Sequence, residues 1–147
     1  MGHTRKGPFW DVMEGRRPPP PAAALLGFEL LAVDPEAGTI EVRFQGKPEF
    51  ANPMGNIQGG MLAAMLDDTL GPALVATLEP NQFSPTIELK VSFVQAAKPG
   101  PLIGTGRVVA RKRSIAFLSG ELRDEQGELL ATATATARIV TIDKGDA

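Results

Sequence analysis

Asn52-Pro53-Met54-Gly55-Asn56-Ile57-Gln58-Gly59-Gly60-Met61-Leu62-Ala63-Ala64-Met65-Leu66-Asp67-Asp68 is the stretch whose reading decides the fold. Its first half continues a segment from Gly46 that holds two prolines and two glycines, and it reads as a long loop. From about Gln58 to Leu78 the composition turns helical and apolar on most faces, which predicts a buried helix. Gly71-Pro72 should bend or interrupt that helix, because Pro72 has no N–H to give to the carbonyl one turn earlier.

Working outward, GFELLAVD and TIEVRF are β-like runs joined by Pro35-Glu36-Ala37-Gly38, which predicts a hairpin. After the helix, TIELKVSFVQ alternates, and the stretch from Leu102 divides at Lys112–Ser114 and again at Asp124–Gly127. The last run alternates alanine with threonine, giving one small apolar face and one hydroxyl face. The order read is β-β-α-β-β-β, a helix followed by an antiparallel meander. A single all-apolar helix needs cover, and a curved antiparallel sheet wrapped around it supplies that cover. The expectation is therefore an α+β domain over 27–142. Residues 1–26 should form an N-terminal arm containing the run Pro18–Pro21, and 143–147 a C-terminal tail. Within the arm, Phe9, Trp10, Val12 and Met13 suit one or two helical turns, followed by extended polyproline and loose packing on the domain.

Composition narrows the chemistry. With 147 residues and 43% hydrophobic content the chain fits one domain. A net charge of −2 without a concentrated basic face argues against a nucleic-acid partner. Met61–Leu78 is broken by Asp67, Asp68, Gly71 and Pro72, which argues against a membrane span, and the opening residues lack the apolar region of a signal peptide. A cytoplasmic location is expected. There are no cysteines and no tyrosines, and the one histidine is His3. Acid–base chemistry therefore falls to carboxylates, and no metal site is expected.

Gly59 and Gly60 stand where the loop enters the helix, so unpaired N–H groups and the positive end of the helix dipole meet there. Asp67 lies about two turns further on, nearly beneath Gly60. Gly60, Ala63, Ala64, Asp67 and Gly71 make a stripe of small residues with an acid in its middle. Asp68, about 100° further round, is the candidate for a structural role. Either carboxylate, taken by itself, could also be solvated or paired with an arginine.

The pattern N52-x-x-G55-x-x-Q58-G59-G60-x6-D67 resembles the signature of the phenylacetate-pathway (PaaI-like) branch of the hotdog-fold acyl-CoA thioesterases, in the 4-hydroxybenzoyl-CoA thioesterase superfamily. The resemblance extends over about residues 25–140, including the turn at Asp124–Gly127 and the Ala-Thr run. It implies a hotdog fold and an acyl-CoA substrate hydrolysed to free acid and coenzyme A, with no cofactor beyond the coenzyme A of the substrate. It also implies residue roles. Asn52 would place the water or thioester, and the Gly59 N–H would polarise the thioester carbonyl. Asp67 would be general base or nucleophile, and Thr86 would assist from a neighbouring strand. Gln58 departs from the family, which has histidine there; glutamine can fix a loop but cannot carry a proton. The alternative this raises is an acyl-CoA-binding or regulatory module with weak turnover.

Gly59 and Asp67 are about 12 Å apart along one helix, too far to act on one carbonyl. Two antiparallel copies of the helix would bring them together, so a homodimer, or a dimer of dimers, with composite sites is expected. Gly60 and the cluster Arg111, Lys112 and Arg113 are candidates for contact with coenzyme A; a solvated hairpin tip explains the cluster equally well. A hydratase is disfavoured by the lack of a histidine in the body of the chain. A serine hydrolase is disfavoured because Ser84, Ser92, Ser114 and Ser119 lack a nucleophile elbow.

Overall fold

A computed structural model describes residues 5–143, so His3 and most of the expected C-terminal tail lie outside the described residues. The arm carries two short helices, α1 (Pro8–Met13) and α2 (Pro21–Leu26), each opened by a proline at its first position. Proline suits that position, where its fixed φ fits and its missing N–H would have had no partner. Residues 18–20 are not helical, but Pro21 already begins α2, so the extended proline segment is shorter than expected.

Next come the hairpin β1 (Glu29–Asp34) and β2 (Thr39–Gly46), and then helix α3 (Gly59–Val75). After α3 lie β3 (Gln82–Phe83), β4 (Thr86–Phe93), β5 (Gly100–Lys112), β6 (Ile115–Asp124), β7 (Leu129–Arg138) and β8 (Val140–Thr141). The six long strands form one antiparallel sheet in the order β1-β2-β5-β6-β7-β4, while β3 pairs with β8.

Two expectations need correction. Four long strands follow the helix rather than three, because the late stretch divides twice and TIELKVSF stands alone. Moreover, β4 is not part of the meander: β5-β6-β7 is, and β4 crosses to the far edge of the sheet beside β7. Placing β4 there leaves it without a second neighbour among the described residues.

Helix α3 buries Leu62, Met65, Leu66, Thr69, Leu70, Ala73 and Leu74. That spacing is a single helical stripe, and it faces β5, β6 and β2. The sheet accommodates the stripe by omitting side chains. A Cβ on Gly104 would stand 2.4 Å from the Thr69 hydroxyl, and one on Gly120 2.8 Å from Leu70. The alanines of β7, from Ala131 to Ala137, are buried on this inner face, while its threonines turn outward as the alternation predicts. Each large apolar side chain so buried contributes about 1.5–3 kcal/mol.

The helix is covered along most of its surface, as its composition suggested: of its residues only Gly60 and Asp67 are exposed. Its less buried side carries Asp67, which is exposed, and Ala63, Ala64 and Gly71, which are partly so. Pro72 does not end the helix, which continues to Val75. Among the described residues, no helix is long and apolar enough to cross a membrane.

Candidate functional site

The loop before α3 is organised by Asn52. Its Oδ1 accepts from the N–H groups of Met54 (3.0 Å) and Asn56 (3.1 Å), while its own N–H donates to the Asn56 carbonyl (2.7 Å). Asn52 thus shapes the turn that delivers the chain to the helix; a short polar side chain bonding its own following backbone does this well. Gln58 is the N-cap residue with extended φ and ψ, and its N–H donates to the Phe50 carbonyl. Its side chain lies over Gly60, where a Cβ would meet Oε1 at 2.8 Å. The Phe93 ring stands over Gly59, 3.2 Å from where a Cβ would be. Met61 and Leu62 donate to the Gln58 carbonyl, and among the described residues the N–H groups of Gly59 and Gly60 have no backbone acceptor. They are the free donors of the helix start.

Asp67 projects from the middle of α3 on its less buried side. Its Oδ1 accepts from the Thr86 hydroxyl at 3.0 Å. That bond depends on an irregularity in β4. Strict alternation would put Thr86 on the outer face with Glu88, Lys90 and Ser92. The register, however, shifts between Thr86 and Glu88: Thr86 pairs with Ala137 and Glu88 with Thr136, leaving Ile87 as an extra residue. The bulge returns Thr86 to the inner face shared with buried Ala137, which re-aims its hydroxyl at Asp67.

Asp68 is more deeply set. Its Oδ2 is buried without a hydrogen-bond partner. Burial first, and then the charge of Asp67, push its carboxyl up to about 7. Among the described residues neither carboxylate is ion-paired. Both line a chamber of about 1250 Å³ between α3, the arm and residues 83–86. Ser84, whose buried Oγ also lacks a partner, lines it too.

The expected site residues therefore fall into three groups. Asn52, Gln58, Gly59 and Gly60 gather at the start of α3. Asp67 and Thr86 meet two turns down the helix, in the chamber. Arg111, Lys112 and Arg113 lie at the exposed tip of the β5–β6 hairpin and line neither the chamber nor a shallower cavity of about 740 Å³ on the outer sheet face. Arg113 there has a left-handed φ of 58°, and Arg111 donates to its carbonyl at 3.4 Å. Sequence reasoning did not place Ser84 or the arm beside Asp67, where both line the chamber. A signal existed for the arm, since Phe9, Val12 and Met13 stand at i, i+3, i+4, but nothing in it indicated what that face would meet.

Residues 54–131 match the family model of the Thioesterase superfamily. A phenylacetic acid degradation-related protein from Ralstonia eutropha JMP134 is 42% identical over 88% of this chain and 98% of its own, with a TM-score of 0.86. The PaaI protein of E. coli, from the phenylacetic acid degradation operon, is 17% identical and shares the fold. Its TM-score is 0.79, with 92% of this chain and 96% of that one covered. A Streptococcus mutans UA159 protein bound to acetyl CoA is 19% identical with a TM-score of 0.71, covering 80% of this chain and 91% of its own.

Proposed function

The chain belongs to the Thioesterase superfamily, and we propose that its reaction is hydrolysis of an acyl-coenzyme A thioester to the free acid and coenzyme A. The observation that carries this reading is Asp67, a carboxylate on a helix, open to the chamber and held in place by the Thr86 hydroxyl at 3.0 Å. In the proposed reaction, Asp67 takes a proton from water as the water oxygen bonds to the thioester carbon. The carbonyl oxygen, now an oxyanion, is held by the free N–H of Gly59 with the helix dipole behind it. Collapse of this intermediate breaks the carbon–sulfur bond. The departing thiolate, whose conjugate acid has an ordinary pKa of about 8.5, needs little help from an acid, which suits a chain with no histidine in its body. Gln58 and Asn52 serve as positioning residues for the loop. Arg111, Lys112 and Arg113 remain candidates for phosphate contact.

A composite site accounts for the separation of the two groups. Eight residues of helix put Gly59 about 12 Å from Asp67, so the carbonyl served by Asp67 of one copy would rest on Gly59 of another. An unpaired sheet edge offers a place for that second copy. β4 has no neighbour beyond β7 among the described residues, and Ile87, Phe93 and Val94 along it are exposed. An open apolar edge strand is a template for pairing.

The test is thiol release from a panel of acyl-CoA thioesters, with Asp67→Asn as control. Turnover that falls about a hundredfold in the variant is expected. Tight acyl-CoA binding without thiol release by the unaltered protein would favour the binding-module reading that Gln58 raised.

A further inference from the structure

The chamber has a wall that the reaction just described does not use. Residues of α1 form that wall: Phe9, Val12 and Met13 all line the chamber. Their i, i+3, i+4 spacing puts them on one face of the helix. The rest of α1 is committed elsewhere. Asp11 pairs with Arg16 at 2.9 Å, and the Arg5 guanidinium lies 5.0 Å from the centre of the Trp10 ring. None of the residues of α1 is buried. Phe9, Val12 and Met13 are half-buried, so the apolar face lines the chamber without being packed into the core.

The arm is nonetheless held at both ends. Gly7 sits against Pro80, where a Cβ would lie 3.4 Å from the proline Cα, and Ala23 and Leu26 of α2 are buried. Between these anchors the Pro18–Pro20 segment is stiff. Opposite, α3 contributes Ala64, Gly71 and Val75, and nothing stands within 4 Å of where a Cβ on Gly71 would be. The charged residues of the lining are Arg17, Asp67 and Asp68.

We infer that the N-terminal arm is the outer wall of the acyl-binding chamber, and that it makes the protein selective for thioesters of bulky apolar acids over acetyl-CoA. This rests on the hydrolase reading above. Asp67, held by Thr86, opens into the same space, so a thioester placed there for attack points its acyl group at the arm. At about 1250 Å³ the chamber exceeds the range of about 300–1,000 Å³ usual for small-molecule sites. An acetyl group leaves most of its apolar lining untouched. Each further methylene covered is worth roughly fourfold in binding. The composite site sets Gly59 of a second copy beside Asp67 alone, so the apolar space between α3 and the arm is left for the acyl chain.

The test compares kcat/KM for acetyl-, octanoyl- and dodecanoyl-CoA in the full chain and in two variants. Phe9→Ala/Val12→Ala/Met13→Ala removes the wall, and Val12→Phe thickens it. Folding is checked by circular dichroism and oligomeric mass by light scattering. The unaltered protein is expected to prefer octanoyl- over acetyl-CoA. The triple variant should lower the octanoyl-to-acetyl ratio at least tenfold, mainly through KM. Val12→Phe should depress dodecanoyl more than octanoyl. If the unaltered protein hydrolyses no thioester, the hydrolase reading itself fails. If it hydrolyses them but prefers acetyl, or either variant leaves the ratios unmoved, the arm is no acyl wall. A triple variant that changes oligomeric mass without changing selectivity would assign the chamber to a second copy and overturn the inference.

Discussion

Replacing Asp68 by asparagine keeps the shape of the side chain and removes its charge. The ordinary carboxyl pKa is 3.8, and burial together with Asp67 raises it to about 7 in the folded chain. Between those values the folded state holds a proton that the unfolded state has released. The contribution of Asp68 to stability is therefore fullest below pH 3.8 and is lost as pH rises through 7. At about 1.36 kcal/mol for each pH unit between the two values, the whole loss is about 4 kcal/mol, and about 2.5 kcal/mol of it falls between pH 5 and pH 8. Water reaching the partly exposed residue reduces these figures somewhat. The assay is urea unfolding at pH 5 and pH 8, followed by far-ultraviolet circular dichroism at one fixed protein concentration so that any assembly contributes equally. Circular dichroism is preferable to fluorescence because the single tryptophan, Trp10, lies in the arm and reports local opening. Asp68→Asn should unfold with a flatter pH dependence and be more stable than the parent at pH 8 by about 2–4 kcal/mol, with hydrolysis changed by no more than about threefold. Equal pH dependence in the two proteins, or a variant weaker at pH 8, would refute the account of Asp68 as a carboxyl buried without a partner.

Asp67→Asn should fold and assemble as the parent does, while kcat falls about a hundredfold or more; a larger effect at Asp68 than at Asp67 would invert the assignment. Thr86→Val, which keeps shape and loses the 3.0 Å bond to Asp67, should cost about tenfold in kcat with little change in KM. Mixing Gly59→Pro with Asp67→Asn by joint refolding should restore roughly a quarter of parental activity, because half of randomly paired dimers are mixed and each holds one intact site. Proline suits the first turn of a helix; Gly59→Pro must still be shown to fold and pair, and absence of recovery after that control would place both groups on one chain. Among the described residues no group of three or more His, Cys, Asp or Glu is placed to hold a metal. Activity should therefore survive a chelator, as thiol release with and without EDTA would reveal.

The sequence by itself determined the elements and the chemistry available to them. Apolar residues at helical spacing from Leu62 to Leu74 require a buried helix, and the Ala-Thr alternation of β7 requires a sheet with one small inner face for that helix to rest on. The absence of cysteine, tyrosine and any histidine but His3 made carboxylates the candidates for acid–base work, and the two aspartates in an apolar helix marked where to look. Those are local properties, set by period and side-chain type. What the tertiary structure decided was everything that depends on a distant neighbour. Placing β4 at the far edge beside β7 leaves it without a second neighbour among the described residues, which no local pattern encodes. The arm's apolar face carried a helical spacing, yet only the packed chain sets it across the chamber from Asp67. Asp68 differs from Asp67 only through what surrounds it. Thr86 is the sharpest case: by alternation it belongs with Glu88, Lys90 and Ser92 on the outer face. It meets Asp67 because β7 allots a single residue, where β4 supplies two, and the resulting bulge turns the hydroxyl inward.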